Sequence, residues 1–202
     1  PSVGLCGDDA PPRLVVVIVI DQFRYDYLER FRHHFTEGGF KLLMEGGANF
    51  INAHFRHSQT TTGAGHAVIM SGCHGRSNGI VSNDWLDRET HERVYCVQDP
   101  GSILLGWEEE ETMTPGQAKE GRSPRQFIGS TVGDVFKLSR SHRPRVISIS
   151  FKDRAAVLLG GKLADAAYWW REGRFVTSDY YMYEAPKWVM EFNRSKHTES
   201  YY

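Results

Sequence analysis

The chain has 202 residues, enough for one domain with its own core, and a formal net charge of −1. That balance excludes the basic field that gathers nucleic acid or an anionic membrane. The longest apolar run, residues 14–20, is far too short to cross a bilayer, so no membrane span is expected.

Residues 1–12 are rich in Gly, Pro and Asp and predict a flexible tail, which leaves 13–202 as the folded part. The chain opens on Pro1 with no initiator Met, and 193–202 are polar with no closing element, so a truncated chain is expected. The β-branched run 14–20 predicts a central parallel strand covered on both faces. Residues 23–34 have helical spacing through Tyr27, Leu28 and Phe31, and Gly38-Gly39 breaks it. A short helix over 40–45 stops at Gly46-Gly47. Residues 48–55 alternate weakly and predict a second strand.

Residues 63–71 predict a helix with Ala67, Val68 and Met70 facing inward. An extended loop over 72–84 carries Asn83, and 85–97 predict a hairpin with a charged turn at 87–92. The polar stretch 106–124 predicts a surface excursion, and its acidic run 108–111 a solvated face. A helix over 131–139 has Val132, Val135, Phe136 and Leu138 as its apolar side, and Thr131 with Asp134 fits a capping box. A buried strand (145–150), a helix (153–159) ended by Gly160-Gly161, a small hairpin (167–170 and 174–177) and a closing helix (184–192) follow. Strands alternating with helices argue for an α/β fold, a mostly parallel sheet flanked by helices.

Cys6, Cys73 and Cys96 form no Cys-x-x-Cys or zinc-ribbon pattern. Cys73 and Cys96 flank one loop region and would pair in an oxidising compartment; two unpaired thiols fit as well.

Four places carry chemistry. Asp21 ends the first apolar run, at the strand tip where open α/β sheets bind ligands. Thr62 opens the helix in Thr60-Thr61-Thr62-Gly63-Ala64-Gly65-His66-Ala67, where free N–H groups and a positive dipole end favour an anion. Asn83 lies in Ser82-Asn83-Asp84-Trp85. Lys152 and Arg154 follow the strand that ends at Ser150. Singly, each has a plain structural reading: a helix cap for Asp21 and Thr62, a loop bond for Asn83, surface charges paired with Asp153 for the two cations. His66 reads as a structural hydrogen bonder. As a set they meet the needs of phosphoryl transfer: a nucleophile, a metal to ionise it, and donors around the equatorial oxygens. The N–H groups at the Gly63 helix start are among those expected donors.

The set also resembles a known family. Val-Ile-Asp-Gln (19–22), Thr-Gly-Ala-Gly-His (62–66), the stretch 71–85, Tyr-Cys-Val-Gln-Asp (95–99), Ser-Pro-Arg (123–125), Thr-Val-Gly-Asp (131–134) and Ser-Phe-Lys-Asp-Arg (150–154) are similar, in order and spacing, to the alkaline phosphatase superfamily. They resemble its threonine-nucleophile alkaline phosphatases, relatives of type I phosphodiesterases and nucleotide pyrophosphatases. Cys73-His74-Gly75-Arg76 has only a superficial likeness to the sulfatase Cys-x-Pro-x-Arg, since it lacks the proline and the spacing differs.

The resemblance implies two zinc ions, with Asp21 a ligand and Thr62 the zinc-bound nucleophile that is phosphorylated in turnover. It implies that Asn83 binds a phosphoryl oxygen. It implies that Lys152 and Arg154 contact terminal oxygens that a diester does not leave free, which favours a small phosphate monoester as substrate. A periplasmic or secreted location comes from the resemblance alone. The family's remaining zinc ligands, an Asp-x-x-x-His segment, an Asp-His pair and a final His, have no counterpart here; Asp165, Asp179 and His197 are scattered. The expectation is therefore the N-terminal part of an alkaline-phosphatase-like catalytic domain, inactive by itself. The alternatives are a phosphodiesterase or nucleotide pyrophosphatase, and a metal-free remnant that binds phosphate or a partner protein.

Overall fold

Amide and carbonyl groups that leave water need partners, and the sheet ladders that supply them lie in residues 84–178 among the described residues. The computed structural model describes residues 12–107, 120–139 and 144–195. It divides into two units, Pro1–Arg56 and His57–Tyr202. No helix among the described residues is long and apolar enough to cross a membrane. The expected tail 1–12, apart from Pro12, the acidic run 108–111 and His197 lie outside the described residues.

The first unit holds helix α1 (Asp26–Arg30), a 3₁₀ turn (Arg32–His34) and helix α2 (Phe40–Gly46). The helix expected over 23–34 is thus shorter and broken at Phe31, which leaves helical φ/ψ. Aromatic rings gather these pieces: Phe23 stacks on Phe40 at 5.1 Å, and Phe35 lies 5.0 Å from Phe40. The two strands expected here are not formed. Residues 14–20 take no regular secondary structure and are mostly exposed, with Leu14 at 77%, and Phe50 is 78% exposed. Neither run has a ladder partner among the described residues, and apolar sequence without a partner does not make a strand.

The second unit begins with helix α3 (Thr62–Ser71) and the short α4 (Gly75–Asn78). Strands β1 (Asp84–Leu86) and β2 (Arg93–Tyr95) form the expected hairpin, with Asp84 opposite Tyr95. Strand β3 (Leu104–Leu105), helix α5 (Val132–Ser139), strand β4 (Ile147–Ser150), helix α6 (Asp153–Gly160), strands β5 (Ala166–Arg171) and β6 (Arg174–Ser178) and helix α7 (Lys187–Ser195) follow. The four-stranded sheet has the order β3-β6-β5-β4. Parallel pairing is confined to β4 with β5; the other neighbours are antiparallel. Glu172 and Gly173 join β5 to β6 with φ of 47° and 85°, the signs a tight hairpin turn needs.

The period-two pleat of β5 divides its side chains between two cores. Ala167 and Trp169 join Ala67, Ile80, Cys96, Val97, Phe127 and the α6 residues Ala156, Val157 and Leu158. Ala166 and Tyr168 pack with Val189 of α7. Helices α3 and α6 lie against each other in the larger core. Helix α5 differs from expectation in which side it buries. Val132, Val135 and Leu138 are exposed, while Gly133 and Asp134 are buried. The capping box explains the choice: Thr131 N–H donates to Asp134 Oδ2 at 2.8 Å, Asp134 N–H to Thr131 Oγ1 at 3.1 Å, and Leu163 N–H to Asp134 Oδ1 at 2.6 Å.

Candidate active site

Thr62 is the first residue of α3, after Thr61 in extended conformation, and is buried. The turn that follows is tight. Gly63 N–H donates to Asn83 Oδ1 at 2.7 Å. A Cβ on Gly63 would lie 3.0 Å from both Cys96 Sγ and the Ser82 carbonyl oxygen, so glycine lets the helix start meet this loop. One sequence expectation is corrected here. The Gly63 N–H is committed to Asn83 and is not offered to an anion. The same bond orients Asn83: with its oxygen accepting, the Nδ2 hydrogens face away from Gly63 as donors.

His66 is buried and its Nδ1 lies 2.7 Å from the Thr62 carbonyl oxygen, the structural role expected of it. The thiols of Cys73 and Cys96 are both free, one exposed and one buried, so the pairing alternative is not realised. Burial first, and then the negative charge of Asp153, pushes the Cys96 thiol up to about 12. It stays protonated and serves as packing between Gly63 and the core.

The hairpin that begins beside Asn83 returns to the same place. Cys96 N–H donates to the Asn83 carbonyl oxygen at 2.9 Å. Tyr95 then reaches the start of α6. Its hydroxyl donates to Asp153 Oδ1 at 2.6 Å and accepts from Arg154 Nη1 at 3.0 Å. Arg122 Nε donates to Asp153 Oδ2 at 2.7 Å, and both side chains of that pair are largely buried. Arg154 Nη1 itself stays 4.0 Å from Asp153 Oδ1. Arg154 Nε is buried with no hydrogen-bond partner among the described residues. A donor left over on a half-buried cation is what an anion site needs. Lys152 is the N-cap of α6, its backbone N–H 3.4 Å from Ser150 Oγ.

The second unit thus gathers Thr62, Asn83 and Arg154 around one hairpin, with Lys152 at the head of the same helix as Arg154. Asp21 belongs to the first unit. Tyr95, Asp153 and Arg122 were not singled out by the sequence. The one hint was Asp153 between two cations; its carboxylate is held by Arg122 Nε and the Tyr95 hydroxyl, with Arg154 Nη1 at the 4.0 Å limit of an ion pair. Among the described residues no group of three or more His, Cys, Asp or Glu could hold a metal. Catalytic zinc takes three protein ligands; Asp21 and Thr62 offer two oxygens, so these side chains do not make a zinc centre by themselves.

The family model for type I phosphodiesterase / nucleotide pyrophosphatase matches residues 15–201. The chain belongs to that family. Among relatives of this phosphodiesterase-family chain, a Myroides odoratus protein named calcium-transporting ATPase is 38% identical over 95% of this chain and 34% of its own length. Alkaline phosphatase PhoV of Synechococcus elongatus is 38% identical over 96% of this chain and 34% of its own length. The crystal structure of wild-type alkaline phosphatase PafA superposes with a TM-score of 0.80 at 36% identity, covering 88% of this chain and 33% of that one. The α/β, alkaline-phosphatase-like fold is thereby established, and the chain spans about a third of the length of the relatives it matches.

Proposed function

We propose that this chain supplies the nucleophile and the phosphate-binding side of a phosphoester hydrolase acting on small phosphate monoesters. The observation that carries the reading is the half-buried Arg154 guanidinium, whose Nε has no hydrogen-bond partner among the described residues, tied through one hairpin to the Asn83–Gly63 contact at the start of the Thr62 helix. In the proposed reaction the Thr62 oxygen forms a bond to phosphorus as the ester oxygen leaves with the electron pair. Water then attacks phosphorus, Thr62 is released and phosphate departs. Asn83 Nδ2 donates to one phosphoryl oxygen. Arg154 and Lys152 neutralise oxygens that are terminal in a monoester and esterified in a diester.

Zinc stays in the proposal as the resemblance gives it, two ions with Asp21 and Thr62 among the ligands. Its other ligands would have to come from residues outside those described. A periplasmic or secreted location belongs to the same proposal and rests on the resemblance alone.

The test uses the complete gene product and two substrates, an aryl phosphate monoester and the matching methyl aryl diester. Thr62→Ala should lower turnover of both by about a thousandfold or more, and undiminished turnover would exclude the mechanism. Replacing Lys152 and Arg154 together by Ala should cost the monoester about a hundredfold in kcat/KM and the diester only a few-fold. Equal loss on both would favour the second reading, a phosphodiesterase or nucleotide pyrophosphatase, which the name of the matched family supports.

A further inference from the structure

Arg154 follows Asp153 in sequence, and its Nη1 comes no closer to Asp153 Oδ1 than 4.0 Å, the outer limit of an ion pair. The Asp153 carboxylate is occupied on both sides: Oδ2 by Arg122 Nε at 2.7 Å, and Oδ1 by the Tyr95 hydroxyl at 2.6 Å and the Arg154 backbone N–H at 2.7 Å. The Tyr95 oxygen sits between carboxylate and guanidinium. A carboxylate only accepts and a guanidinium only donates, so the phenol proton must point at Asp153 and the phenol lone pair at Arg154. Burial, and then the Asp153 charge, raise the phenol's pKa, which keeps that proton in place through alkaline pH. The Arg122 guanidinium also lies over the ring, 5.3 Å from its centroid.

We propose that Tyr95 is a positioning residue: its hydroxyl holds the Arg154 guanidinium off Asp153 and aimed at a phosphate oxygen. The proposal rests on the reading of Arg154 as a phosphate contact. It also gives Arg122 a task, since without a second cation the Asp153 charge would oppose a phosphate dianion arriving beside it. Because Tyr95 lies opposite Asp84 on the hairpin that carries Asn83, one element sets both the amide and the guanidinium relative to Thr62.

The experiment compares kcat/KM for the monoester and the diester in the complete gene product with Tyr95→Phe, Arg154→Ala and both together. Phe keeps the ring and removes only the hydroxyl. Tyr95→Phe should lower the monoester value roughly tenfold, leave the diester within about twofold, and add nothing once Arg154 is Ala. Inhibition by inorganic phosphate should weaken by about the same factor. Equal loss on both substrates, or losses that multiply with Arg154→Ala, would overturn the positioning role. If Arg154→Ala is selective for the monoester and Tyr95→Phe is not, the positioning role alone fails. If Arg154→Ala is unselective, the monoesterase reading fails and takes the positioning role with it.

Discussion

Cys96 has no neighbour to bond covalently, yet it touches the site glycine and lies under the electrostatic influence of Asp153 and Arg154. Its thiol is raised to about 12 in the fold, against about 8.5 for a solvated thiol, so the folded state binds this proton more tightly than the unfolded chain. The stability it lends is complete below about pH 8.5 and is lost as pH climbs toward the folded value. Urea midpoints measured from pH 7 to 11 should therefore fall less steeply for Cys96→Ala than for the parent chain. Identical slopes would mean that the thiol is hydrated. Thr62, Asn83, Lys152 and Arg154 were readable as candidates because each has a side chain suited to phosphate chemistry in a motif of fixed order. Tyr95 and Arg122 were not, because their value lies in partners far away along the chain, Asp153 above all.

At the scale of elements, short-range chemistry decided more than apolar pattern. The β1–β2 hairpin, the Glu172-Gly173 turn and the Thr131–Asp134 box formed where turn and cap residues called for them. The apolar side of α5 was misjudged, since the capping carboxylate is bound to Leu163 N–H and draws the opposite side of the helix into the core. Asp134 is buried and accepts two backbone N–H groups. Asp134→Ala would leave the buried Thr131 N–H unpaired, free the Leu163 N–H and cost about 2 kcal/mol, read as a lower urea midpoint with unchanged slope. A loss under about 0.5 kcal/mol would place the weight of this junction elsewhere.

On the scale of the whole molecule, each of the two units leaves large apolar side chains exposed among the described residues. Residues 14–20 carry Leu, Val and Ile side chains in the open, and Ile147 and Ile149 are more than half exposed on β4, at the end of the sheet order. Exposed apolar runs and uncovered strand faces of this kind drive association. The 202-residue polypeptide expressed by itself should elute above its 23.0 kDa monomer mass and bind an apolar fluorophore. A monomer that binds no dye would mean that these runs find cover within the chain.

Residue types, motif order and turn chemistry are local properties, and from them the sequence by itself determined the α/β class, the hairpins and the capping box, and it named the candidate side chains on which the proposed function rests. Which runs become strands, which face of α5 is buried, that Gly63 N–H is spent on Asn83, and that Asp153 is shared between Arg122 and Tyr95 were decided only by tertiary structure. Each of these depends on a partner distant in sequence, and a buried donor or acceptor takes whichever partner the packing brings within reach.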